Sequence, residues 1–116
     1  MLRAVHLRST SSGVSVCFMT VGELAYGAEE SSRPEWNRAL VECFLLTVPV
    51  IESDRSSMRI LGRLKTSIEG KGGRLADADL MIAAVALDRG LILATGNLRL
   101  YSRIPGLRSE DWLHCV

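Results

Sequence analysis

Apolar residues along the chain fall into two patterns, short continuous runs and longer runs with helical spacing. Residues 14–18 form a short β-prone run, and residues 91–94 are continuously apolar, as in a strand buried on both faces of a parallel sheet. Apolar side chains recur at three-four spacing in residues 36–44 and 58–68, whereas residues 82–87 are apolar on nearly every side. This alternation predicts an α/β fold.

Punctuating residues predict where these elements begin and end. Pro34 suits the first turn of one helix, and Asp54 is placed to cap the next. Gly90 suits a left-handed residue that closes the helix before the buried strand. Residues 48–51 suit a short strand, and Pro49, which lacks a backbone donor, restricts it to an edge of the sheet.

Length and composition favour one ordinary globular domain spanning residues 1–116. The apolar fraction is 47%, and no run approaches the roughly 20 apolar residues of a membrane span. The N-terminus lacks the apolar segment of a signal peptide, so we expect a cytoplasmic protein without membrane contact. Three cysteines without a CxxC pair predict no disulfide framework, and a net charge of +1 argues against a strongly basic nucleic-acid coat.

Two aspartates and two small polar residues flank the most apolar helix and strand. Asp77 and Asp79 lie where the N-terminal helix dipole favours anions, and Thr95 and Asn97 follow the buried strand. Ligands usually bind at the carboxyl edge of such a sheet, so these residues predict a metal-dependent active site. An alternative remains open, in which the aspartates only cap the helix and the polar pair only forms a turn.

Glu23 has a second, structural interpretation. Thr20 and Glu23 have the spacing of a capping box at the start of the first helix, where hydroxyl and carboxylate each bind a free backbone N–H. In this role Glu23 would stabilise the helix without taking part in catalysis.

Three short motifs, taken in order, carry a family resemblance. They are Thr20-Val21-Gly22-Glu23-Leu24, Asp79-Leu80-Met81-Ile82-Ala83-Ala84 and Thr95-Gly96-Asn97. Together they resemble the VapC-type toxins of the PIN-domain family, over about residues 14–112. The resemblance implies a PIN-like three-layer α/β fold with a parallel sheet flanked by helices. It also implies the toxin of a type II toxin-antitoxin pair, a divalent-metal-dependent endoribonuclease that hydrolyses RNA phosphodiester bonds.

The same resemblance implies roles for particular residues. Glu23 and Asp79 match acidic positions of the family and would bind Mg²⁺ or Mn²⁺ directly or through water, with Asp77 as a weaker candidate. Thr95 and Asn97 match polar positions that orient a water ligand or the scissile phosphate. Hard divalent cations prefer oxygen ligands, and a metal so held activates water and neutralises charge during hydrolysis.

Partners follow from the resemblance as well. It implies a homodimer, an RNA substrate, and a VapB-like antitoxin whose C-terminal segment lies in the groove beside the acids.

Arg99 and Arg103 are candidate phosphate contacts, with simple surface solvation as the alternative. The apolar stripe of Trp36, Leu40 and Phe44 suits an interface or a core, and we expect core packing for most of it.

Two departures from the family pattern favour an alternative function. No apolar strand ending in a metal-binding aspartate precedes residue 14, and residues 1–7 suit the tail of a helix. We expect a start upstream of Met1, or a gap filled by dimerisation, swapping or a rearranged sheet. Leu100 stands where many relatives carry an aspartate. The alternative is therefore a catalytically inactive PIN-like relic that binds an antitoxin or dimerises without cleaving RNA.

Overall fold

The computed structural model describes residues 6–8 and 13–111, which contain short strands and longer helices. The strands are β1 (His6–Arg8), β2 (Val14–Cys17), β3 (Val50–Ile51), β4 (Ile92–Ala94) and β5 (Ser109–Glu110). The helices are α1 (Phe18–Glu29), α2 (Pro34–Leu45), α3 (Arg55–Gly70), α4 (Asp77–Arg89) and α5 (Leu98–Tyr101). No helix in the described ranges is long and apolar enough to cross a membrane.

The strands form one sheet in the order β3-β2-β1-β4-β5. β2 pairs with β3 in parallel, β4 pairs with β5 in parallel, and β1 runs antiparallel to both β2 and β4. Four strands therefore point in one direction, and their carboxyl ends lie along one edge. The predicted parallel sheet is confirmed for these four strands and is wrong for the central strand β1.

The N-terminal segment also differs from its prediction as the tail of a helix. His6 and Leu7 lie in β1, where Leu7 pairs with Ser15 on one side and Leu93 on the other. A helix at this position would leave the facing backbone groups of β2 and β4 without strand partners, and an extended segment satisfies them. The rest of that prediction, residues 1–5, lies outside the described residues.

The core is built around α4 and β4. Leu80 and every residue from Ile82 to Ala86 are buried in α4, and the whole of β4 is buried beside them. Helix α4 ends at Gly90, whose φ of 63° and ψ of 36° are left-handed as predicted. Helix α3 packs against α4, and α1 contacts both α2 and α4. The sequence thus predicted the central helix and strand correctly.

The two predicted helix caps have opposite outcomes. Asp54 caps α3 through a reciprocal pair, with its Oδ1 accepting from the Ser57 N–H at 2.9 Å and its own N–H donating to Ser57 Oγ at 2.9 Å. The predicted capping box of Thr20 and Glu23 is wrong, because α1 already begins at Phe18 with Cys17 as its N-cap. Both residues instead lie inside the helix.

Helix α2 contributes little to the core. None of its residues is buried, and the side chains of Trp36 and Leu40 are more than half exposed. Its packing partner is α1, so the helix forms the outer arm of a hairpin. The expectation that the apolar stripe packs mostly into the core is therefore wrong for these two side chains.

Candidate active site

The chain connections bring three polar segments to the carboxyl edge of the sheet. β2 ends at Cys17 and continues into α1, which carries Glu23. β4 ends at Ala94 and is followed by Thr95. Because α4 returns to β4 through the tight Gly90 turn, the N-terminus of α4 lies at the same edge. This is the edge at which open α/β sheets usually bind ligands.

Asp79 is the buried carboxylate of this edge. It lies in the first turn of α4 and is only 6% exposed. Its Oδ1 accepts a hydrogen bond of 3.2 Å from the hydroxyl of Tyr101, a residue that is 1% exposed. Sequence reasoning missed Tyr101. The available signal was the residue type, because a buried tyrosine hydroxyl usually needs a hydrogen-bond partner.

Asp77 lies two residues earlier on the same helix but belongs to a different environment. Its Oδ1 accepts from Lys65 Nζ on α3 at 3.0 Å, and the Asp77 side chain is 69% exposed. The hydrogen bond and the charge of Asp77 raise the pKa of Lys65. The structure therefore joins Asp77 to α3 and does not bring it to the buried side of Asp79.

Thr95 and Asn97 form a local turn after β4. The Thr95 hydroxyl oxygen accepts from the Asn97 N–H at 3.0 Å, and the Thr95 N–H donates to the Glu110 carbonyl at 2.9 Å. Thr95 is buried, whereas Asn97 is exposed at the start of α5. The turn interpretation is thus observed for Thr95, although its hydroxyl proton and second lone pair leave it able to bind a further group.

Glu23 is half-buried in α1, near the end of β2. Burial of the Cys17 thiol raises its pKa, and the Glu23 carboxylate adds to that increase by opposing a second negative charge. Backbone N–H groups of Met19 and Thr20 act in the opposite direction. Glu23 lies six residues after Cys17, the last residue of β2, in the first half of α1.

The two arginine candidates lie in or just after α5. Arg99 is an exposed residue within α5, between Asn97 and Tyr101. Arg103 is also exposed, and its guanidinium lies so close to Gly73 that a Cβ there would overlap it. The two arginines thus lie on either side of Tyr101 in the sequence, and Tyr101 is the residue that contacts Asp79.

The donor set fits a hydrated divalent ion better than a fully protein-coordinated one. Among residues 13–111, no group of three or more histidine, cysteine, aspartate or glutamate side chains is placed to hold a metal. Mg²⁺, however, keeps several waters and is commonly bound by only one or two carboxylates. Buried Asp79 and half-buried Glu23 supply oxygen chemistry of this kind.

Comparison with known proteins identifies the family. The PIN domain family matches residues 3–107. The chain is a PIN-domain protein. The tRNA(fMet)-specific endonuclease VapC of Salmonella typhimurium is 40% identical over 102 residues, which are 88% of this PIN-domain chain and 77% of the relative. Ribonuclease VapC2 of Haemophilus influenzae is 38% identical over 98 residues, covering 84% and 74% respectively.

Solved structures support the same assignment. DNA-bound VapBC from Salmonella typhimurium matches with a TM-score of 0.79 and 42% identity, covering 83% of this chain and 73% of that one. VapBC2 of Rickettsia felis, bound to a DNA fragment from its promoter, gives a TM-score of 0.80 and 31% identity, with coverages of 84% and 74%. The resemblance to VapC-type PIN domains and the predicted α/β fold class are therefore confirmed.

Proposed function

We propose that this PIN-domain protein is the toxin of a type II toxin-antitoxin pair and a divalent-metal-dependent endoribonuclease. The observation that carries the proposal is Asp79, a buried carboxylate in the first turn of α4 at the carboxyl edge of the sheet. Relatives that are 40% identical over 102 residues and 38% identical over 98 residues are named as VapC nucleases. The proposed unit is a single PIN-like domain over residues 1–116 that acts in the cytoplasm.

Asp79 and Glu23 are the proposed metal-binding residues, and Mg²⁺ or Mn²⁺ is the proposed ion. When bound, such an ion lowers the pKa of water and stabilises negative charge on the phosphate. Asp79 would supply a buried carboxylate that also accepts a hydrogen bond from Tyr101, and Glu23 would supply the second negative charge from α1. Asp77 is the weakest candidate, since its carboxylate already binds Lys65.

Thr95 and Asn97 are the proposed substrate-orienting residues. The turn that they form at the end of β4 holds the Thr95 oxygen close to the backbone of Asn97. The Asn97 side chain is exposed, so it is accessible to an incoming RNA strand. Arg99 and Arg103 are proposed to contact RNA phosphates, an interaction that weakens steeply with salt.

The hairpin of α1 and α2 is the proposed surface for a VapB-like antitoxin. A cavity of about 300 Å³ opens between these helices and is lined mainly by apolar groups, with Leu24, Leu40, Val41 and Phe44 among them. Exposed Leu40 at its rim would be shielded from water by an apolar peptide segment. The matched relatives from Salmonella and Rickettsia were solved as VapBC assemblies. A homodimer remains part of the proposal.

A second candidate function is a catalytically inactive protein that binds an antitoxin or dimerises without cleaving RNA. The observation favouring it is the same donor set, because the described residues provide no three-carboxylate cluster. Two carboxylates hold a divalent ion weakly when most of its ligands remain water.

One pair of assays separates the two candidates. The purified protein is incubated with RNA in Mg²⁺ or in excess chelator, and its binding to a co-expressed VapB-like antitoxin is measured in parallel. The first candidate predicts Mg²⁺-dependent cleavage that is lost in Glu23→Gln and retained in Glu30→Gln, a control at the exposed end of α1. Antitoxin binding without RNA cleavage in Mg²⁺ supports the inactive candidate.

A further inference from the structure

Tyr101, the last residue of the one-turn helix α5, contacts the buried carboxylate of Asp79. Its ring belongs to the hydrophobic core together with Leu80 and Ile104, and its hydroxyl donates to Asp79 Oδ1 at 3.2 Å. The ring is fixed by packing, so the hydroxyl is presented from a rigid direction. A phenol is also neutral, and therefore restrains a carboxylate without cancelling its charge.

The same helix links Asp79 to the other polar segment of the site. Helix α5 begins after Asn97, whose N–H donates to the Thr95 hydroxyl oxygen, and it ends at Tyr101. One turn of helix thus has a hydrogen bond to Thr95 at its start and a hydrogen bond to Asp79 at its end. A shift of α5 would therefore displace two hydrogen-bond donors together, the Asn97 N–H and the Tyr101 hydroxyl.

We infer that Tyr101 is a positioning residue that fixes the orientation of the Asp79 carboxylate for cation binding. The inference rests on the proposed function in taking Asp79 as a metal-binding residue. Partners that orient a metal-binding side chain typically change metal affinity by about 10-fold to 100-fold when they are removed. Tyr101→Phe removes the hydroxyl and keeps the ring that packs in the core. Tyr26→Phe is the matched control, because Tyr26 is 69% exposed on α1.

The first test needs no metal. The side-chain carboxyl ¹³C resonance of Asp79 is assigned by its loss in Asp79→Asn and then compared between wild type and the two tyrosine variants. We expect the resonance to shift in Tyr101→Phe and to stay in place in Tyr26→Phe, with circular dichroism confirming that both variants are folded. An unchanged resonance in folded Tyr101→Phe would overturn the inference.

The second test measures Mn²⁺ binding by calorimetry on the same three proteins. We expect the Kd to rise about 10-fold in Tyr101→Phe, at the lower end of the usual range, and to match wild type in Tyr26→Phe. Equal affinity in wild type and Tyr101→Phe would refute the positioning role and leave the proposed function intact. Failure of wild type to bind Mn²⁺ would contradict the metal-binding role of Asp79 itself, and the positioning inference with it.

Discussion

Lys65 Nζ on α3 lies 3.0 Å from Oδ1 of Asp77, whereas Asp79, two residues along α4, is buried and binds the Tyr101 hydroxyl. Successive helical residues point in different directions, so two aspartates separated by one residue face different neighbours. Asp77 thereby joins α4 to α3 through an ion pair at the protein surface. Of these two aspartates, Asp79 is the one that we propose for the active site.

The packing of β4 gives the first prediction. Leu93 is fully buried in the core, and truncating a buried leucine removes apolar contacts and leaves a cavity. We expect Leu93→Ala to lower the free energy of unfolding by about 2–5 kcal/mol, measured by urea denaturation. Leu46→Ala is the control, because Leu46 is 87% exposed, and its effect should stay within about 0.5 kcal/mol. Equal losses in the two variants would contradict the assigned core.

Two glycines in helical segments predict changes of opposite sign. Gly90 ends α4 in a left-handed conformation, so Gly90→Ala should destabilise the protein by about 1–2 kcal/mol. Gly62 lies inside α3 with open space where a Cβ would be, and Gly62→Ala should stabilise the protein by about 0.5–1 kcal/mol. Urea denaturation of both variants measures the two signs. A stabilising Gly90→Ala would be incompatible with the observed turn.

The described cysteines should differ in chemical reactivity. Burial raises the pKa of the Cys17 thiol, and the thiolate is the form that reacts with alkylating reagents. Cys43 is exposed on α2. We expect iodoacetamide to modify Cys43 in the native protein and Cys17 only after unfolding, with peptide mass mapping identifying each site. Comparable modification of the two in the native state would show that the end of β2 is open to solvent.

The cap of α3 predicts a pH dependence of stability. The Ser57 backbone N–H lowers the pKa of Asp54 below its ordinary value of 3.8, helped by the Ser57 hydroxyl and the charge of Arg89. The pKa of Asp54 is lower in the folded protein than in the unfolded chain. The charged cap therefore stabilises the protein at pH values above the pKa of the unfolded chain. That contribution is lost as the pH falls through the folded pKa.

Asp54→Asn tests this sign, because asparagine retains a capping oxygen but does not titrate. We expect wild type to be the more stable protein at neutral pH, and the difference in free energy of unfolding to shrink as the pH falls below 3.8. Urea denaturation across this range measures the difference. A gap that widens with acid would mean that the pKa is shifted in the other direction.

Local patterns in the sequence predicted the central part of the fold. The apolar helix α4, its closing glycine Gly90 and the buried strand β4 are each determined by neighbouring residues, and all three predictions are confirmed. The cap at Asp54 succeeded for the same reason, since the residues that form it lie within one helical turn. The VapC resemblance added the fold class, which is confirmed as well.

Features that depend on distant residues were not predictable. Strand β1 exists because β2 and β4 leave a position between them, and nothing within His6–Arg8 specifies that pairing. The contact of Tyr101 with Asp79 joins residues 22 positions apart. The capping box at Thr20 failed because its spacing was correct but the helix begins earlier, at Phe18.

In the proposed function, Asp79 supports metal-dependent hydrolysis of RNA. The most direct test is the single-turnover rate of RNA cleavage at saturating Mg²⁺ for wild type, Asp79→Asn and Asp77→Asn. We expect Asp79→Asn to lose about 100-fold or more in rate, since a bound cation contributes several kcal/mol of transition-state stabilisation. Asp77→Asn should match wild type, because its carboxylate binds Lys65. Cleavage by Asp79→Asn at the wild-type rate would contradict the proposed catalytic role of Asp79.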